Sequence, residues 1–363
     1  MYRILYYICI LIYSNNLLNA QNLFKGDLMI AGVNQLNRGN NCSSNNSETS
    51  YDNILFITLN DIENGEVITL TDNRYLGNQQ FNTTEGFYQL ERVGGKISQG
   101  SFFRIDLPFI SVANNPIFNG WKLINSYYRI NLNTTGDQIF ILNNGTWNNQ
   151  GYFDGDVIFG YNSLNAWKST LDTSNSRLPT SNNGNYDITN FHYTPLEEIT
   201  SMYRIYNGPL DAKSKNEWQI RFMNPKNWIY YDTNSNLTNC QNFNEKSDQL
   251  LNTKLIIENY SYLENCNPFS IQLETINDEN IIDYEWIKSD EINFSNYENI
   301  GSSQSLNYQN INNSDHYVTC KLTYQLKWIE DNNHLQISTR TVLSKIYHIK
   351  KINSPVITPI LIN

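Results

Sequence analysis

The sequence predicts an all-β protein: two antiparallel β-sandwich domains in tandem after a cleaved signal peptide. Three observations predict it. Short runs rich in Val, Ile, Leu, Phe and Tyr recur along the chain, separated by Asn, Gly, Asp and Ser. Apolar residues spaced for a helix are scarce. The 363 residues are enough for two domains at about 100–200 residues each.

The elements follow in order. Residues 28–33 read as a strand, and 54–59 as one buried on both faces because no polar residue alternates in it. Residues 67–72 follow the Asn64-Gly65 turn, where Gly65 permits a hairpin and Ile62 and Ile68 would staple its strands. Residues 102–107 alternate. Residues 138–142 run into the turn at Asn143-Asn144-Gly145, and 157–161 form a further strand. Such spacing with turn residues between argues a sandwich or barrel rather than βα units. Residues 194–203 and 211–217 hold at most short helical turns. The polar, Asn-rich stretch 232–255 predicts a boundary near 240–260. Beyond it, 269–273, 282–286 and 318–324 alternate, with Tyr284 and Trp286 on one face. A hairpin at Asp331-Asn332-Asn333 leads to 335–349. The resulting division is 1–20 signal peptide, 21–240 first sandwich, 241–260 linker, 261–351 second sandwich and 352–363 C-terminal tail.

Aromatic residues make up 13% of the chain and charged residues 17%; so aromatic a composition argues for packed cores, not disorder. The formal net charge is −10, with no basic stripe, which disfavours nucleic acid and anionic lipid as partners. Arg3, the apolar run Ile4–Tyr13 and Ala20 before Gln21 read as a secretory signal. The run is too short for a transmembrane anchor, and no later stretch could span a membrane. The expected location is secreted or cell-surface. Cleavage leaves Cys42, Cys240, Cys266 and Cys320, an even number suited to two disulfides in an exported protein. Cys42–Cys240 with Cys266–Cys320 keeps each bridge within a domain; Cys240–Cys266 is the rival.

An ordered set of motifs runs through the first half: Gly26-Asp27-Leu28, Phe56-x-x-Leu59-x-Asp61-Ile62-x-x-Gly65-x-x-Ile68-x-x-Thr71-Asp72-Asn73, Glu85-Gly86, Gly136-Asp137-Gln138-Ile139-Phe140, Ala166-Trp167, Leu178-Pro179, Tyr206-Asn207-Gly208-Pro209 and Asn224-Pro225-x-Asn227-Trp228. Over about 22–235 this resembles the lamin-tail-like β-sandwich modules of secreted bacterial proteins. That resemblance implies a non-catalytic part of an extracellular protein, sometimes beside a nuclease or phosphatase. Cys266, Tyr284-x-Trp286, Ser305–Tyr308 and Asp315-His316-Tyr317 before Cys320 resemble an immunoglobulin-like or PKD-like domain over about 260–350, where a Trp packs on a disulfide. Tyr317 stands three residues before Cys320, one further than in a tyrosine corner.

No HExxH, GxSxG, GxGxxG or Walker motif occurs, and no catalytic residue is expected. Asp72-Asn73 and Asp137, where strands meet loops, are read as bonding loop backbone, with a loop-end Ca²⁺ or ligand site as the alternative. Asp61/Glu63, Glu197/Glu198 and Asp154/Asp156 are the closest carboxylate pairs and read as solvated charge. Asp154-Gly155-Asp156 is a Ca²⁺ candidate, with a plain turn as the simpler reading; no other cofactor is expected. His192 reads as a packed or edge-strand residue. Trp121, Tyr127, Tyr128, Trp147 and Tyr152 could form a sugar-stacking face, unless they fill the core. The leading expectation is a non-catalytic, adhesin-like bacterial protein presenting loops to an extracellular glycan or protein. The alternative is an accessory or targeting module of an extracellular hydrolase.

Overall fold

The computed structural model describes residues 23–35, 52–77, 80–107, 116–132, 137–143, 145–148, 151–163, 203–231, 237–265, 270–309, 314–329 and 335–351. The protein is all-β, with two short α-helices among the described residues. It divides into two compact units. The first comprises residues up to Leu210, Arg221–Leu255 and Leu326–Ser338; the second comprises Asp211–Ile220, Ile256–Gln325 and the chain from Thr339.

The first unit has two antiparallel sheets. One contains β1 (Leu28–Asn34), β2 (Asp52–Thr58), β7 (Phe102–Leu107), β12 (Tyr203–Tyr206) and β13 (Trp228–Tyr231), in the order β13-β12-β1-β2-β7. The other contains β3 (Val67–Thr71), β6 (Phe87–Arg92), β8 (Ile117–Phe118), β9 (Trp121–Tyr127), β10 (Gln138–Asn143) and β11 (Asp156–Asn162), in the order β11-β10-β3-β6-β9-β8. A small ribbon, β4 (Tyr75–Gly77) with β5 (Gln80–Phe81), stands apart. Every residue of β1 and β2 is buried, which suits central strands covered on both faces. Gly65 adopts φ 91°, but its turn is not a hairpin. β2 and β3 belong to different sheets, so the turn carries the chain across the sandwich, and the Gly65 amide donates to Arg92 O at 2.7 Å.

Where composition predicts a linker, the chain forms a helix. In chain order α1 is Lys215–Met223 and α2 is Leu237–Leu251. α2 buries Cys240, Phe243, Ser247 and Leu250, a stripe at helical spacing, and packs on β12, β7 and β1. It supplies cover for the five-stranded sheet. α1 begins at Lys215, so only the end of the predicted 211–217 turn is helical. Ser214 and Glu217 form a capping box: the Glu217 amide donates to Ser214 Oγ at 3.3 Å and the Ser214 amide to Glu217 Oε2 at 2.8 Å. Residue 203, placed in a helical turn by the sequence, starts β12; 194–202 lie outside the described residues.

The second unit contains β14 (Tyr260–Asn265), β15 (Ser270–Glu274), β16 (Ile281–Ser289), β17 (Glu298–Gly301), β18 (Ser305–Gln309), β19 (His316–Ile329) as far as Gln325, β20 (Leu335–Leu343) from Thr339, and β21 (Ile346–Lys351). The larger sheet runs β14-β21-β19-β16-β17, with β20 also on β19; β15 and β18 form the second. One pair, β14 with β21, is parallel. The single run predicted over 335–349 is interrupted between β20 and β21, where Ser344 O and Lys345 O accept from Thr319 Oγ1.

Trp286 is fully buried and donates from Nε1 to Ser303 O at 2.7 Å. In the ladder it lies opposite Cys320. Cys320 is a free, buried thiol whose pKa burial pushes up to about 12. The predicted Cys266–Cys320 bridge is therefore absent, and the core of this unit is Trp against thiol. Cys240 is disulfide-bonded; Cys42 and Cys266 lie outside the described residues, so its pairing stays an expectation.

Candidate binding site

Two exposed aromatic residues of the first unit, Tyr127 and Tyr128, meet at the end of β9. Tyr127, the last residue of β9, pairs with Phe87 of β6. Tyr128 follows with φ 51°, a left-handed conformation that is strained for a bulky side chain. Both rings face solvent, 49% and 63% exposed. Their centroids lie 4.3 Å apart with planes at 59°. A hydrogen bond to Tyr128 pushes the Tyr127 pKa up.

The backbone beyond this pair is clamped from below. Asp72 is almost fully buried and bonds two loops at once: Gly86 N donates to Oδ1 at 2.8 Å and Asn131 N to Oδ2 at 2.9 Å. Asp52 accepts the next amide, Leu132 N, at 3.0 Å. Asn73 takes Glu85 N on Oδ1 at 3.0 Å and gives Nδ2 to Gly86 O at 3.0 Å, an oxygen that also accepts Thr71 Oγ1 at 2.7 Å. Ile130 and Leu132 are buried beside these bonds. A Cβ on Gly86 would stand 2.4 Å from the Arg129 carbonyl carbon, so only glycine lets the two loops meet. Burial, helped by the nearby Glu85 charge, outweighs the two amide donors and pushes the Asp72 pKa up to about 7. Burial also raises Glu85.

The anticipated five-residue aromatic face is not assembled. Trp121 is fully buried, with Phe103 at 5.9 Å and the Arg92 guanidinium at 5.6 Å from its ring. Trp147 packs on Phe87 at 5.0 Å and Phe81 at 5.2 Å, and Tyr152 is half-buried. Only Tyr127 and Tyr128 of the five are exposed. Sequence reasoning missed the second unit's aromatic row, in which Tyr317 stacks on His348 at 4.5 Å and His348 meets Tyr262 at 5.4 Å. Its signal was the Tyr260-x-Tyr262 alternation. These rings stack across strands on one another, and Lys350 Nζ sits 4.5 Å from the centre of Tyr262.

At the Ca²⁺ candidate, Asp154 gives both oxygens to Thr146: Oδ1 accepts its amide at 2.5 Å and Oδ2 its hydroxyl at 3.0 Å. Those bonds lower the Asp154 pKa. Asp156 pairs with Asn143 in the ladder, so Asp154 closes a loop. Among the described residues no group of three His, Cys, Asp or Glu could hold a metal ion. Asp61 and Glu63 share Lys96 at 2.6 and 2.9 Å. Asp137 accepts Gln138 N at 2.8 Å. Glu197, Glu198 and His192 lie outside the described residues. No helix among the described residues is long and apolar enough to cross a membrane.

Comparisons with protein families, with characterised proteins and with solved structures find no match. The class of protein is therefore defined by fold and surface alone: a two-unit β protein with a clamped, exposed tyrosine pair.

Proposed function

We propose that this chain is an exported, non-catalytic binding protein that contacts an extracellular glycan or protein through Tyr127 and Tyr128. One observation carries this reading. A strained backbone holds an aromatic residue out in solvent, where burial returns nothing for the strain. The cost of such a conformation, about 1–3 kcal/mol, persists where the surroundings over-determine it, typically at ligand contacts. Tyrosine suits the role, since it offers a large amphipathic contact area with few rotatable bonds. The buried carboxylate clamp supports the reading further, because it orders the backbone before any ligand arrives. The apolar run near the N-terminus supports export.

We further infer a lamin-tail-like first unit and an immunoglobulin-like second unit. The ordered motifs of the first half support the former. Support for the latter comes from the buried Trp286 and from a first strand running parallel to the last. A glycan and matrix array tests the function: binding that disappears when both tyrosines are replaced supports it. Binding that ignores them opposes it.

A further inference from the structure

A buried cation lies in the first unit, away from the tyrosine pair. Arg204 of β12 is fully buried and faces Val33 of β1 and Tyr230 of β13 in the ladder. Its guanidinium carbon lies 4.5 Å from the centre of the Tyr230 ring and 5.8 Å from that of Tyr161. Nη1 donates to Asn162 O at 2.8 Å. Nε and Nη2 are buried too, and among the described residues neither finds an acceptor. Asp137 influences the same Tyr161 hydroxyl as Arg204, yet no ion pair joins them among the described residues.

A guanidinium does not shed its proton to escape burial. Two tyrosine faces and one carbonyl offset part of the cost of burying it. What remains is specific. Nε–H and Nη2–H lie on one edge of the guanidinium and point the same way, the edge that grips a carboxylate through two parallel hydrogen bonds. Complete burial leaves no passage for a bulky substituent. We propose that Arg204 binds a small planar oxyanion of the carboxylate class, of formate or acetate size, inside the first unit. This site is independent of the tyrosine pair.

The competing account, in which aromatic faces and Asn162 alone satisfy the guanidinium, predicts the opposite sign for one substitution. Replacing a buried charge that lacks its counter-ion by an apolar side chain of similar length is neutral or stabilising, whereas breaking a buried pair is destabilising. The test is thermal unfolding of the dialysed full chain at constant ionic strength in sodium chloride, formate, acetate or glucuronate. The site predicts a Tm about 3 °C or more higher in formate and acetate than in chloride. Glucuronate, whose ring cannot follow its carboxylate inside, should match chloride. Arg204→Met should lower Tm and abolish the formate response, and Arg204→Lys, which keeps the charge without the fork, should abolish it as well. Equal Tm in chloride and formate overturns the proposal, as does a higher Tm in Arg204→Met. A glucuronate response equal to that of formate overturns the small-ion assignment. If the Met variant does not fold, the wild-type salt series and the Lys variant decide.

Discussion

Asp72→Asn separates the two jobs of the clamp. The amide keeps the carboxylate's shape, but only its oxygen can accept. Its NH₂ then faces either the Gly86 or the Asn131 amide, both of which Asp72 now binds. Stranding one buried N–H costs about 1–3 kcal/mol. The substitution also removes a titration. The Asp72 pKa rises from 3.8 to about 7 in the folded protein, so between those values the folded state holds a proton that the unfolded state releases. The resulting stability is fully present below pH 3.8 and is lost as pH rises through about 7. At about 1.4 kcal/mol per pH unit, the whole window corresponds to about 4 kcal/mol. The assay is urea unfolding of both proteins from pH 4 to 8.5, with hydrogen exchange at Gly86 and Asn131 reporting the clamp locally. Near pH 4, where the protonated carboxyl's hydroxyl oxygen can still accept an amide that the variant's NH₂ cannot, the wild type should be the more stable by about 1–3 kcal/mol. By pH 8.5 the order should reverse, because only the wild type loses the Asp72 contribution. Parallel curves for the two proteins would refute the reasoning.

Gly86→Ala should destabilise the first unit by more than about 2 kcal/mol, since its Cβ meets backbone, not a mobile side chain; urea midpoints check this. His316 is fully buried and bonded through Nε2 to Tyr308 at 2.5 Å, and desolvation lowers its pKa below 6.5. Its contribution to the second unit is therefore full above the ordinary histidine value and lost as pH falls below it. Unfolding of His316→Gln should be less acid-sensitive than that of the wild type between pH 7.5 and 5. The Cys320 thiol should resist alkylation in native protein and react at full rate in denaturant, as mass spectrometry can show.

Much of the first unit was legible because its central strands are unbroken apolar runs punctuated by turn residues. β1, β2, β3, β7, β10 and β11 lie close to where such runs place them. β6 and β9 escaped notice, since Phe87–Arg92 and Trp121–Tyr127 mix polar residues among the apolar ones. α2 was read as linker because a four-residue stripe was diluted among Asn, Lys and Asp; its burial depends on the sheet beneath it. The Gly65 turn could be read, but not whether its strands share a sheet. Asp72 and Asn73 do bond loop backbone, in keeping with their place at a strand end. Tyr127 and Tyr128 stood out only as aromatics. Their exposure, unlike that of Trp121, follows from β9 ending where the clamp begins. Arg204 left no signal, because a lone cation in Tyr203–Tyr206 looks like any strand residue until the packing around it is known.

The most direct test of the account is binding to a glycan and matrix array by the wild-type protein and by a Tyr127→Ala/Tyr128→Gly variant. Glycine suits φ 51° at position 128, so the variant should keep the wild-type Tm within about 2 °C. The account predicts specific binding by the wild type that falls at least about tenfold in the variant, a loss of about 1.4 kcal/mol. Equal binding by the two folded proteins, or none by the wild type, would contradict it.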